Sequence, residues 1–192
     1  ATRFAKFINV PELLRPWHIA GDVKTAEDLQ LDVPQLAPRP EDGQRLPETV
    51  VVAPSEELTV YVQQLADRAA AVRARAVDPQ ADNMLRITSE GRAAALDLRL
   101  VGRHTDEVSK IDVAAGRIAE IWREHRETVY RDRDGEPHPR PGALQIVFAD
   151  LGTPTSHGWN VYAALRDTLV AHGMPRDMIR FIHEARNDRE KQ

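Results

Sequence analysis

The side chains best placed to do chemistry gather at the end of one apolar run. Ala143-Leu-Gln-Ile-Val-Phe-Ala149 holds six apolar residues in seven, and Asp150, Thr153 and His157 follow it. Asp150, ahead of Gly152 and Pro154, reads as a turn residue whose carboxylate accepts backbone N–H bonds. Seven histidines are scattered along the chain, at 18, 104, 125, 138, 157, 172 and 183. No two of them have the i, i+4 spacing of helical metal ligands, and the chain has no cysteine to complete a site. A metal site is therefore not expected. His157 and His183 stand near the ends of two short apolar runs, where they can line a cleft. The chain has no Gly-x-x-x-x-Gly-Lys-Ser/Thr loop, no Gly-x-Gly-x-x-Gly and no Gly-x-Ser-x-Gly. An ATPase needs a backbone cradle and a lysine against the triphosphate charge. ATP hydrolysis by this chain alone is not expected.

The elements that must position these residues are read from periodicity. A short apolar run without alternation, ended by turn residues, has the pattern of a strand buried on both faces in a parallel α/β sheet. Ligands in such sheets sit at the carboxyl ends of the strands. Trp159, Tyr162, Leu165 and Leu169 follow at three- and four-residue steps, which predicts a helix stopped by Gly173 and Pro175. Ile179-Arg-Phe-Ile182 then reads as a second strand, parallel to the first by the right-handed crossover rule.

Upstream, Ser55 opens the strongest helical pattern, with Leu58, Tyr61, Val62, Leu65, Ala69, Val72 and Ala76 in one stripe. That stripe packs on its own domain or serves as a seam for a partner helix. Thr88 or Ser89 is read as the cap of a further helix carrying Ala93, Leu96 and Leu100. Ser109 is placed to cap a helix whose inner face includes Ile111, Ala115, Ile118 and Trp122. Thr25 opens a short helix near the start, and Thr49-Val-Val-Val52 reads as a short strand. Two proline-bearing stretches, 34–47 and 130–142, read as loops. Three regions follow: an irregular to helical linker over 1–47, a helical region over 48–142, and a β-α-β unit over 143–192. The fold class expected is α/β, a helical region followed by a partial lobe with a small parallel sheet.

Composition bounds the function classes. The chain has 192 residues, 42% hydrophobic and 29% charged, with a formal net charge of −4. That is the balance of a globular protein, without a wholesale basic coat for nucleic acid. Aromatic residues make up 5%, too few for a stacking platform. No apolar run approaches a membrane span and no signal-peptide pattern opens the chain, so a cytoplasmic location without a membrane partner is expected.

The order of the pieces resembles the Swi/Snf-like superfamily-two DNA helicases and translocases, in particular large bacterial helicases on mobile elements, some fused to DNA methylase regions. Leu46 to Tyr61 resembles the passage that follows the first RecA-like lobe. Asp82 to Thr88 and Ala94 to Leu100 resemble a segment near the lobe junction, and Ser109-Lys110 resembles a Ser-Lys pair heading a long helix. Gln145 to Pro154 is similar to the fourth helicase motif, as first strand of the second lobe, and Phe181 to Ala185 to its next strand. The resemblance implies nucleic-acid backbone contacts at Lys110, Thr153 and His157. It implies DNA and the remaining helicase lobes as partners. ATP and magnesium would belong to a larger parent protein, with no cofactor held by this chain. Separately, Asp150-Leu-Gly-Thr153 is similar to the nucleophile loop of haloacid-dehalogenase-type phosphatases. Those enzymes need a second carboxylate where this chain has Gly152.

The leading expectation is thus a fragment of an ATP-dependent DNA helicase, inactive alone, contributing part of a second RecA-like lobe. The alternative is a self-contained protein-interaction or dimerisation module without catalysis. Exposed sheet edges in a partial lobe also lead to an expected homodimer.

Overall fold

The structure, a computed structural model, describes residues 10–22, 24–30, 35–39, 42–104, 106–154, 158–185 and 187. The chain divides into two compact units, Ala1–Val50 and Val51–Gln192.

In the first unit, α1 (Val10–Ala20) and the single turn α2 (Ala26–Leu29) are the regular elements among the described residues. Thr25 caps α2 as expected. Its hydroxyl accepts from the Asp28 N–H at 3.2 Å while the Asp28 carboxylate accepts from the Thr25 N–H at 2.8 Å. This reciprocal bonding holds the Asp28 carboxyl below the usual carboxylate range.

The second unit carries the candidate site and is built from helices. Ser55 caps α3 (Glu56–Arg73) by accepting from the Leu58 N–H at 3.0 Å. Tyr61, Leu65 and Ala69, at i, i+4 and i+8, turn its apolar stripe inward. They meet Ile87 and Ala94 of α4 (Met84–Leu96) and Leu98 of the following 3₁₀ turn, Leu98–Val101, in a first core. α4 starts four residues before Thr88, because Asn83 takes the capping role and accepts from the Arg86 N–H at 3.0 Å. Thr88 and Ser89 lie inside the helix. The α3 stripe is thus filled by its own unit. The seam expected there is occupied along Tyr61, Leu65 and Ala69.

Ser109 caps α5 (Lys110–His125) through a second reciprocal box with Asp112. Ala115 and Ala119 are fully buried. Side chains this small let α6 (Val161–Ala171) approach closely. Leu169 and Met174 complete this second core, flanked by Ile118, Trp122, Leu165 and Ile179. Gly173 ends α6 at φ 93°, where a side chain would be strained. The Gly173 and Met174 amides donate to Val170 and Leu169 carbonyls at 2.9 and 3.1 Å, a Schellman motif that folds Met174 back onto Leu169.

The expected α/β class, with a small parallel sheet in a partial RecA-like lobe, is corrected here. Among the described residues there is no strand. The sole β-bridge among the described residues is an isolated antiparallel one between Arg131 and Pro137. Residues 143–149 carry no helix, turn, bend or ladder, and 49–52 is likewise irregular. The stretch 179–182 runs in extended backbone into a 3₁₀ turn, Ile182–Glu184. An apolar run without alternation is compatible with a doubly buried strand, but only burial makes it one. Here Leu144, Ile146 and Phe148 are 87%, 69% and 89% exposed.

Candidate functional site

The apolar run that suggested a central strand is the most unusual surface of the second unit. Four tethers hold it in place. At its start the Gly142 N–H donates to the Thr128 carbonyl at 2.9 Å. Within it, the Gln145 amide donates through Nε2 to the Ile118 carbonyl on α5 at 3.0 Å. The Tyr162 hydroxyl on α6 donates to the Ala149 carbonyl at 3.0 Å. Beyond it, the Val161 N–H donates to the Gly152 carbonyl at 3.1 Å. The segment therefore lies across α5 and α6, fastened by side-chain bonds at Gln145 and at its last residue and by backbone bonds outside its ends.

Ala143, Gln145 and Ala149 are half-buried, while Leu144, Ile146 and Phe148 project outward, with Val147 half-exposed. Among the described residues, no backbone N–H of 143–149 and no carbonyl of 143–148 has a hydrogen-bond partner. The segment is thus free of helix, turn and bend, apolar on its outer face and unpaired along its backbone.

Its support is a set of ring and ion contacts on α6 and the chain after it. The Tyr162 ring that holds Ala149 packs edge-on against Phe181 at 5.4 Å and against His183 at 5.1 Å. Arg166 lies over Phe181 at 4.4 Å and bonds to Glu184 at 3.0 Å. Gly152 approaches α6 so closely that a Cβ there would collide with Val161 Cγ2. On the other side, Arg99 stacks over Trp159 at 4.2 Å while its guanidinium holds the buried Asp97 at 2.7 Å.

Of the residues expected to contact nucleic acid, the structure describes Lys110 and Thr153. Lys110 is exposed at the first position of α5 and borders a depression of about 160 Å³. Val52–Ser55, Asp97, Glu107 and Ser109 also line that depression, whereas Thr153 does not. Glu107 accepts there from the Glu56 N–H at 3.3 Å, so a carboxylate takes the amide that an anion would use. Thr153 is exposed on the turn beside Gly152. His157 lies outside the described residues. Asp150 is exposed just past the segment, and His183 packs on Tyr162 rather than opening a cleft.

The chain matches no family model, no curated protein and no solved structure. Function must be argued from the geometry of this surface.

Two features escaped sequence reasoning. The lone polar residue of the run, Gln145, is the anchor that sets which face turns outward, and an amide alone among apolar neighbours was the signal for it. The other is a charged cluster under the first core. Arg68 holds Asp82 at 2.7 and 2.9 Å and also Glu90, while the Tyr61 hydroxyl donates to Glu90 at 3.2 Å. The guanidinium holds both carboxyls below their ordinary values, and burial beside Glu90 pushes the Tyr61 hydroxyl up. These groups join α3 to α4 and the loop before it. Their chemistry is structural.

Among the described residues, no helix is long and apolar enough to cross a membrane, and no group of three or more His, Asp and Glu converges to hold a metal ion.

Proposed function

We propose that this chain is a protein-interaction module whose docking element is the extended segment 143–149, which receives a strand from a partner chain. One observation carries the reading: among the described residues the segment is without helix, turn or bend, its backbone is unpaired, and it bears a row of outward apolar side chains. Strand addition uses the main chain for affinity and alternate side chains for specificity. Both are present here on a support that is already ordered, so little conformational entropy is lost on docking. Natural proteins usually blunt such a strand with lysine, proline or a bulge. Residues 143–149 contain none of the first two and no charge.

Hydrogen exchange with a strand-forming probe tests the proposal. An alternating Thr-Val hexapeptide is expected to slow exchange of the 143–149 amides in the full chain. The double variant Ile146→Asp/Phe148→Asp is expected to abolish that protection with its helices intact by circular dichroism. Amides that exchange at the same rate with and without the probe would sink the reading.

The motor reading makes a different prediction for the same protein. It requires affinity for duplex DNA that falls steeply with salt and weakens in Lys110→Ala or Thr153→Ala. DNA binding of that kind, with the apolar double variant unaffected, would favour a nucleic-acid role over docking of a protein strand.

A further inference from the structure

We infer that the strand received by segment 143–149 is the same segment of a second copy, paired antiparallel about a two-fold axis at Ile146. This rests on the docking role proposed above and names its occupant. A two-fold interface brings the same patch from each subunit together, so the patch must complement itself. Centred on Ile146, the pairing sets Ile146 against its counterpart and Leu144 against Phe148 in both directions. All three are outward and apolar, so each of the three gains an apolar neighbour. Between Ala143 and Ala149 there is no charge, hence no like-charge contact anywhere in the ladder.

The ends of the segment decide the direction. Exposed Arg140 precedes it and exposed Asp150 follows it. Antiparallel pairing brings the basic end of one copy to the acidic end of the other, twice by symmetry. Parallel pairing would set Asp150 beside Asp150 and Arg140 beside Arg140. Slipping the partner by one residue would set outward Ile146 against Gln145 or Val147, and Gln145 is anchored inward on α5, while moving the axis by a whole residue would leave Leu144 opposite Asp150 or Phe148 opposite Gly142. One strand from each copy lies at the small end of protein interfaces, so the dimer is weak and forms with rising concentration.

The chain has no cysteine, so one introduced thiol reports the register. Opposed positions in an antiparallel pair bring Cα atoms within disulfide range. In the full-length protein, Ile146→Cys is expected to give a covalent dimer on mild oxidation. Leu144→Cys or Phe148→Cys alone gives several-fold less, and a mixture of those two gives the crossed dimer. Sedimentation of the cysteine-free protein should show its average mass rising toward twofold with concentration, an increase lost in Ile146→Asp. Equal cross-linking at all three positions would overturn the register and with it this inference.

A chain that stays monomeric at every concentration and forms no Ile146→Cys dimer also overturns it. The hexapeptide exchange measurement then separates the two levels. Protection by the probe with no self-association leaves the docking role standing with a different partner, and no protection removes both.

Discussion

Single residues carry three distinct energetic roles in this chain. Leu65 is buried among Tyr61, Ile87 and Leu98, and Leu65→Ala leaves a void that costs about 2–4 kcal/mol, read as a lower midpoint in urea. Gly152 has φ 68° and no room for a Cβ beside Val161, so Gly152→Ala forces the turn away from α6. That substitution should cost well over 1 kcal/mol and should loosen the end of the docking segment. The Arg68 cluster sets an acid limit. Glu90 has its carboxyl lowered by Arg68, so its contribution is full above the ordinary glutamate value of about 4.3 and is lost as pH falls through the lowered one. Thermal stability is therefore expected to be level from neutral pH down to that value and to fall below it. In Arg68→Met the fall should be shallower and the plateau lower.

At the scale of elements, the docking segment depends on helices it does not belong to. Tyr162→Phe removes the hydroxyl that holds Ala149 but keeps the ring against Phe181 and His183. The loss is about 1 kcal/mol. The 143–149 segment should then take more than one register, seen as weaker and less position-specific cross-linking at Ile146→Cys. The helices themselves were legible in the sequence. Ser109 and Thr25 cap the elements they were expected to cap, Ser55 stands at the start expected for its helix, and Tyr61, Leu65 and Ala69 lie on the buried stripe. Periodicity works there because a helix satisfies its own backbone, so the side-chain pattern alone decides what is buried. The strand pattern at 143–149 misled because strand pairing needs a neighbour, and no local pattern states whether one exists. The same seven residues describe a buried central strand and an unpaired one. Asn83 was missed as a cap because Thr88 offered a more conspicuous signal just downstream.

Across the second unit, two cores sit side by side with thin connections between them. Leu65, Ile87 and Leu98 belong to one, and Ala115, Ala119, Leu169 and Met174 to the other. The cation–π stack of Arg99 on Trp159 and the approach of Leu100 to Gly152 join the two. Such links are worth on the order of 1 kcal/mol each, small beside the cost of emptying a core position. The cores should therefore open as separate cooperative units. Leu65→Ala is expected to speed hydrogen exchange of the α3 and α4 amides by about 30-fold or more, since each 1.4 kcal/mol is tenfold. The α5 and α6 amides should change by less than threefold, and self-association through segment 143–149 should survive, because its anchors Ile118 and Tyr162 lie on those helices. Equal acceleration in all four helices would show one core instead of two, and it would make the docking surface as fragile as the weakest position in the unit.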